Sequence, residues 1–403
     1  MTFSLRFIIP SIFSGVLSGA SAALFLIVLN WATETRLNHP QIIWLLPVAG
    51  FFLGWLYFRF GKDVAGGNNL VLEQIHSPKK ILPLVMAPLI FIGTVLTHLF
   101  GGSAGREGTA VQMAASLSDQ LSKIFKLSPQ ERTLLLKAGA GAGFGAAIGT
   151  PLAGIVFGLE FIHIGRIRFN GLLECALASF IATLTCHALG APHTLFPHPV
   201  LPSFSLLLVS WVALAGVLFG LTALLFAQSV HYLERTLHKL ISYSPFKPFL
   251  GGIVLVLLFL WEGSYKYAGL GLSVIQEALQ EPGKLRDSLL KFLFSILTLA
   301  SGFKGGEFVP LVFIGSTLGS ALSQWIPVPF DLLGAVGFAG VFGAASNTPL
   351  ACALMAMELF GWGTAPYALT ACWTAYLFSG HRGIYSGQPT LLSKKRQAFP
   401  WLE

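Results

Sequence analysis

FGAAIGTPLA at residues 144–153 and FGAASNTPLA at residues 342–351 agree at eight of ten positions, at an offset of 198 residues. At the same offset Glu160 falls over Glu358. Upstream of each copy a glutamate ends a glycine-rich loop: GSAGRE at 102–107 and GFKGGE at 302–307, a shared G-x-x-G-x-E. A repeat in an apolar chain marks transporter folds whose substrate site lies where the repeats meet. Here each loop opens an apolar helix. Such a helix start offers free N–H groups and the positive end of the helix dipole, which is chemistry for an anion.

The composition puts these loops inside a membrane. The 403 residues are 54% hydrophobic and 10% charged, with a mean hydropathy of +0.73, whereas soluble domains carry about 25% charged residues. The runs 5–29, 41–60, 81–100, 203–230, 248–261 and 287–300 approach or reach the roughly 20 apolar residues a span needs. The runs 108–122, 138–148 and 151–165 are interrupted by Gly, Pro and polar residues, so broken helices are expected. These are tolerated at membrane depth only where protein or a water-filled path covers the freed backbone. The expectation is an all-α polytopic membrane protein. Most of its 44 glycines serve either close helix packing or the repeated loops.

Cys175, Cys186, Cys352 and Cys372 stand singly, without C-x-x-C spacing, and predict neither disulfides nor a metal site. No cofactor is implied. The net charge of +8 sits in clusters at helix ends, among them Lys123, Lys126, Arg132 and Lys137, then Arg166 and Arg168, then Lys394, Lys395 and Arg396. That scatter argues against nucleic acid as a partner, and membrane lipid is the expected surroundings. Positive loops face the cytoplasm, so Arg6 and the 394–396 cluster place both termini inside.

One transport domain over 1–403 is expected, with repeat one at about 40–195 and repeat two at about 203–390, separated by the Pro/His loop 191–202. The polar segment 232–247, with Glu234, Arg235, His238 and Lys239, reads as an exposed connection. The residues after Gln388 leave no room for an appended soluble domain. Whether the repeats are parallel or inverted depends on the number of crossings per half, which broken helices leave open.

Four segments carry the chemistry. In 101–121, Gly105 and Gly108 free the backbone around Arg106 and Glu107. The Glu107 carboxylate is itself an anion able to occupy the site. Removal from water favours its neutral form, so it can take up a proton, leave and admit an ion. The structural alternative is a capping glutamate paired with Arg106. In 302–310, Gly305 and Gly306 precede Glu307, Phe308 and Val309, whose N–H groups can converge, with Pro310 setting the first turn. Lys304 either steers an anion or pairs with a carboxylate. Phe308 offers a positive ring edge or plain core packing. In GGNN at 66–69, Gly67 precedes Asn68 and Asn69, which are amide donors or an ordinary helix cap. In GIYSGQ at 383–388, Tyr385 is an O–H donor or an interface anchor.

These four segments, in this order, resemble the CLC family of chloride channels and anion/proton exchangers, over about residues 60–390. GREG at 105–108 is similar to its gating-glutamate motif. GGEFVP at 305–310 resembles its second anion-binding helix start, and Tyr385 falls at its central tyrosine. The resemblance implies two inverted halves of tilted, broken helices and a homodimer with one pathway per subunit. It also implies Glu107 as gate and proton carrier, with Gly67, Asn68, Gly105, Arg106, Gly108, Phe308, Val309 and Tyr385 along the ion path. Chloride members carry a serine where this chain has Gly66, a proline where it has Thr109, an apolar residue where it has Glu307, and, in exchangers, an inner glutamate where it has Phe161. GNN and K-G-G-E look like the fluoride branch, although its frequent methionine at the serine position is missing here. Fluoride is small and strongly hydrated, so dehydrating it demands dense N–H donors. The expected function is therefore fluoride export against protons across the inner membrane, with Glu307 as second titratable group. The alternative is chloride/proton exchange or a chloride channel. An enzyme is not expected: Ser103 lies outside any G-x-S-x-G elbow, and neither His98 nor His163 forms a motif with it.

Overall fold

The computed structural model describes residues 7–394, so Arg6, Lys395 and Arg396 lie outside the described residues. Sixteen α-helices follow one another there, with no strand among the described residues. The first eight are α1 (Ile8–Asn38), α2 (Leu46–Phe60), α3 (Asn68–His76), α4 (Met86–Leu99), α5 (Glu107–Ile124), α6 (Pro129–Ile148), α7 (Pro151–Glu160) and α8 (Leu172–Ala188). The second eight match them in order and approximate length. They are α9 (Leu206–Leu240), α10 (Phe246–Glu262), α11 (Leu272–Gln280), α12 (Leu285–Ala300), α13 (Phe308–Leu322), α14 (Phe330–Ser346), α15 (Pro349–Phe360) and α16 (Ala365–Phe378). This parallel begins at α1, ahead of residue 40.

The repeated decapeptide encodes a helix break. Helix α6 starts with a capping box, in which the Ser128 N–H donates to Glu131 Oε2 and the Glu131 N–H to Ser128 Oγ. It stops at Gly149, whose φ of +90° is left-handed. Helix α14 stops the same way at Asn347, φ +59°. Two residues later Pro151 and Pro349 open α7 and α15 at the first helical position, where a missing N–H costs nothing. G-T-P and N-T-P are thus one device: a left-handed stop, a spacer and a proline start.

Those two short helices lie antiparallel. The Leu350 and Ala351 N–H groups, at the start of α15, donate to Glu160 Oε1 and Oε2 at 3.1 and 2.8 Å. The Leu152 and Ala153 N–H groups, at the start of α7, donate to Glu358 Oε1 and Oε2 at 3.0 and 2.8 Å. Each helix carries at its end the carboxylate that caps the other's beginning. Equivalent helices that run in opposite directions make the repeats inverted.

By length and composition α1, the 40–60 segment and α9 can cross a membrane. The other apolar helices are shorter, and small residues let them pack closely. A Cβ on Gly315 would run into the Gly337 carbonyl, and one on Gly337 into that of Gly315. Three charges read as loop charges are buried instead: Arg132, Lys137 and Lys394. The Arg132 guanidinium grips Asp119 at 2.6 and 2.8 Å, locking α5 to α6. Lys394 donates to Ser379 Oγ at 2.8 Å and stands over the Tyr376 ring. The four cysteines are buried and unpaired. The segment 232–247 is not a loop, because α9 continues to Leu240 before the chain turns.

Candidate functional site

The two glycine-rich loops meet back to back at the centre of the molecule. The Gly105 N–H donates to the Gly306 carbonyl at 2.6 Å, and the Gly306 N–H to the Gly105 carbonyl at 2.8 Å. A Cβ on Gly105 would lie 2.8 Å from both Gly306 O and Val309 N, so only glycine permits this approach. The starts of α5 and α13 are thereby pressed together, as their shared G-x-x-G-x-E requires.

Around this bridge the predicted residues gather. A Cβ on Gly108 would stand 3.1 Å from Gly306 Cα, 3.3 Å from Asn68 Nδ2 and 3.8 Å from Glu307 Oε2. The Asn68 amide and the Glu307 carboxyl therefore converge on Gly108, the residue after Glu107. Gly67, with φ +53°, makes the turn that brings Asn68 to the first position of α3. Asn69 serves the fold instead. Its Oδ1 accepts from the Gly387 N–H at 2.9 Å and holds the loop that carries Tyr385. That loop is tied further by the Ile384 N–H to the Ala345 carbonyl at 2.9 Å and by His231 Nε2 to the Gly383 carbonyl at 3.1 Å.

Two cavities flank the bridge. One of about 190 Å³ is lined by Gly67, Asn68, Gln112, Lys304, Glu307 and Tyr385. The other, of about 20 Å³, is lined by Arg106, Glu107, Phe196, Leu272, Phe308 and Val309. A space that size holds one water or one small ion. Consecutive residues Glu307 and Phe308 line different cavities, so the start of α13 is the partition between them. The larger cavity opens beside the last turns of α9, at Val230, His231 and Glu234. The smaller one is closed by Thr194 and Phe196 of the 191–202 loop.

Glu107 is 2% exposed. Its Oε1 accepts from Arg106 Nε and its Oε2 from the Arg106 backbone N–H, both at 3.2 Å. The capping arrangement with Arg106 is thus real, and it holds the carboxylate at the smaller cavity. Lys304 does not pair with Glu307: its Nζ stands 4.1 Å from the centre of the Tyr57 ring. Phe308 meets Phe342 edge-on at 4.7 Å and Phe144 at 5.7 Å, so it is core packing and cavity wall at once. Phe161 stacks on Phe157 at 4.9 Å, and Phe157 on Phe144 at 4.0 Å. The inner-glutamate position is filled by the foot of an aromatic column. Ser103 Oγ is bonded to Ser295 Oγ at 3.0 Å, not to a histidine.

Sequence reasoning missed Gln112, Tyr57, His231 and Glu234. Gln112 carried a usable signal, since it lies one turn past Gly108 on the same face of α5. The others approach from distant helices and carried none.

The comparisons with known proteins agree with this geometry. The voltage gated chloride channel family model matches residues 49–380. A chloride/fluoride channel protein of Pseudomonas syringae pv. tomato is 47% identical over 96% of this chain and 86% of its own length. An H(+)/Cl(-) exchange transporter ClcA of Cronobacter sakazakii is 27% identical over 86% of this chain and 80% of its own. The crystal structure of a CLC-type fluoride/proton antiporter superposes with a TM-score of 0.92 at 33% identity, covering 95% of this chain and 98% of that one. Inverted broken helices, paired glycine loops and the family match lead to one conclusion: this chain belongs to the voltage gated chloride channel (CLC) family.

Proposed function

We propose that this protein is a secondary transporter that exports fluoride in exchange for protons across the inner membrane, as a homodimer with a pathway in each subunit. One observation carries the reading: Glu107 is buried at the smaller cavity, while the Asn68 amide and the Glu307 carboxyl, which line the larger one, converge on the next residue, Gly108. A carboxylate at that point blocks anions while charged and can release Arg106 once protonated. Its departure leaves helix-start N–H groups and the Asn68 amide to replace the water around a small, hard anion. A neutral carboxyl O–H at Glu107 or Glu307 can also donate to fluoride, which links the movement of proton and ion. Phe308 and Val309 form the wall, and Tyr385 presents its phenol to the larger cavity. The fluoride named for a 47% identical relative and for a 33% identical structure supports the choice of ion.

The wider cavity faces the cytoplasm in this reading, because Lys62, Arg235 and Lys247 line the cavities that adjoin it. Chloride/proton exchange or a passive chloride path is the second reading, favoured by the exchanger relative. The test is efflux of fluoride and of chloride from proteoliposomes with pH recorded in parallel, for the parent and Glu107→Gln. Proton movement with fluoride in the parent, abolished by Gln, is the expected result. A Gln variant that keeps proton-coupled fluoride transport refutes the role of Glu107.

A further inference from the structure

A proton that reaches Glu307 must still cross to the cytoplasmic side, and the two positions nearest the family's inner route are closed. Phe161 is stacked in an aromatic column. Both carboxylate oxygens of Glu160 are taken by backbone N–H groups of α15.

Glu234 occupies the other way out. Helix α9 is 35 residues long, roughly 52 Å at 1.5 Å per residue, against a hydrocarbon layer of about 30 Å. Its last turns therefore stand beyond the apolar run that ends at Val230. The 190 Å³ cavity adjoins two wider ones of about 580 and 540 Å³ at this mouth. Among the described residues Glu234 is the one that lines all three. It is exposed to them, and no hydrogen bond or ion pair among the described residues claims its carboxylate. A carboxylate at the mouth of an anion path opposes the anion, so its presence there calls for a second role.

The groups that face it from its own helix are His231, Arg235 and His238. Tyr57 and Lys62 face it from α2 and the turn after it, and Lys247 from α10. Lys304 and Glu307 approach from the start of α13, and His381, Arg382 and Tyr385 from the C-terminal loop. Among these only Glu307 is another acid, and it shares the inner cavity with Glu234.

We propose that Glu234 is the proton station at the cytoplasmic mouth, passing protons between Glu307 and the cytosol through cavity water. This rests on the proton-coupled reading above. In the outward-to-inward direction the O–H of Glu307 breaks and its proton enters the water chain. An O–H forms on the Glu234 carboxylate, and that proton is then released to the bulk.

The experiment uses the full-length protein in liposomes, with fluoride and pH electrodes and the cytoplasmic-side pH varied. With an imposed gradient that draws protons in from the cytoplasmic side, Glu234→Gln is expected to slow coupled turnover about tenfold, more steeply as the pH on that side rises and hydronium becomes scarce. The loss of rate should persist at saturating fluoride, whatever relief the lost charge brings to anion entry, and Glu234→Asp should restore most of the rate. Three results overturn the proposal: a Gln variant with the parent's rate and pH profile; a lower fluoride KM with an unchanged profile, which marks an anion barrier only; or a loss equal at every pH that Asp does not rescue, which marks a structural role. A parent that moves fluoride without protons overturns the coupled reading itself, and Glu234 with it. A coupled parent with an indifferent Gln variant removes Glu234 alone.

Discussion

Glu160→Gln isolates the join between the two halves. The carboxylate receives two N–H donors from the start of α15, at 3.1 and 2.8 Å, and is 4% exposed. A glutamine keeps one acceptor oxygen and turns an NH2 toward the second donor. One charge-assisted bond is lost, worth about 1.5–3 kcal/mol, and one buried N–H is left without a partner, at a cost of about 1–3 kcal/mol. The expected loss is about 3 kcal/mol, read as a reduced unfolding free energy in urea titrations in detergent micelles. Glu358 is only partly buried, so Glu358→Gln should lose less, about 1–2 kcal/mol. The two caps sit at opposite ends of a ten-residue helix, on the order of 15 Å apart, so the double variant should show the sum. Folded Glu160→Gln protein should keep the parent's fluoride-to-proton ratio. Parent-like stability with collapsed proton coupling would refute the reasoning, because Glu160 would then be a proton carrier and not a cap.

Gly105→Ala places a methyl 2.8 Å from Gly306 O and Val309 N. It should cost about 1–3 kcal/mol as overpacking and abolish transport, checked by thermal unfolding beside flux. Asn68→Ile removes the amide that faces Gly108 and should lower fluoride relative to chloride flux about tenfold, the size of one lost hydrogen bond. An unchanged ratio in a monodisperse variant would count against it. Glu307→Gln should slow coupled exchange about tenfold across the pH range while gel filtration shows an intact oligomer. A parent-like rate-against-pH curve would leave Glu307 as a helix cap alone.

What the sequence made legible is what is written in local chemistry. The helix breaks at Gly149 and Asn347 follow from a left-handed stop and a proline two residues on, so the decapeptide repeat exposed them directly. The pairing of Gly105 with Gly306 was not legible: the shared G-x-x-G-x-E shows that each loop has room for a close backbone approach, but not that the two approach each other. The reciprocal caps were not legible. Glu160 and Glu358 were visible as an aligned pair, but which helix start each serves depends on the inversion. The segment 232–247 was legible as exposed, since Glu234, Arg235, His238 and Lys239 all are, but not as the end of α9 with Glu234 on the lining of a cavity. Arg132, Lys137 and Lys394 misled, being charges with partners inside the fold. Asn69 shows how two adjacent asparagines divide, one facing the site and the other fastening the loop behind it.

The stitching of the halves also limits how the transporter can work. Two backbone bonds cross at Gly105 and Gly306, and two carboxylate bonds stand at each end of the α7–α15 pair. A rocking cycle, in which one half tilts against the other to expose the site to alternate sides, would have to shear this seam on every turnover. The seam passes through the candidate site itself, where Gly105 and Gly306 pair. Under the proposed function, alternation would then be carried by parts small enough to swing within a fixed frame: the side chains of Glu107 and Glu307. Turnover then depends on torsions and proton transfers, and freezing the halves together with a cross-link between α7 and α15 should leave it running.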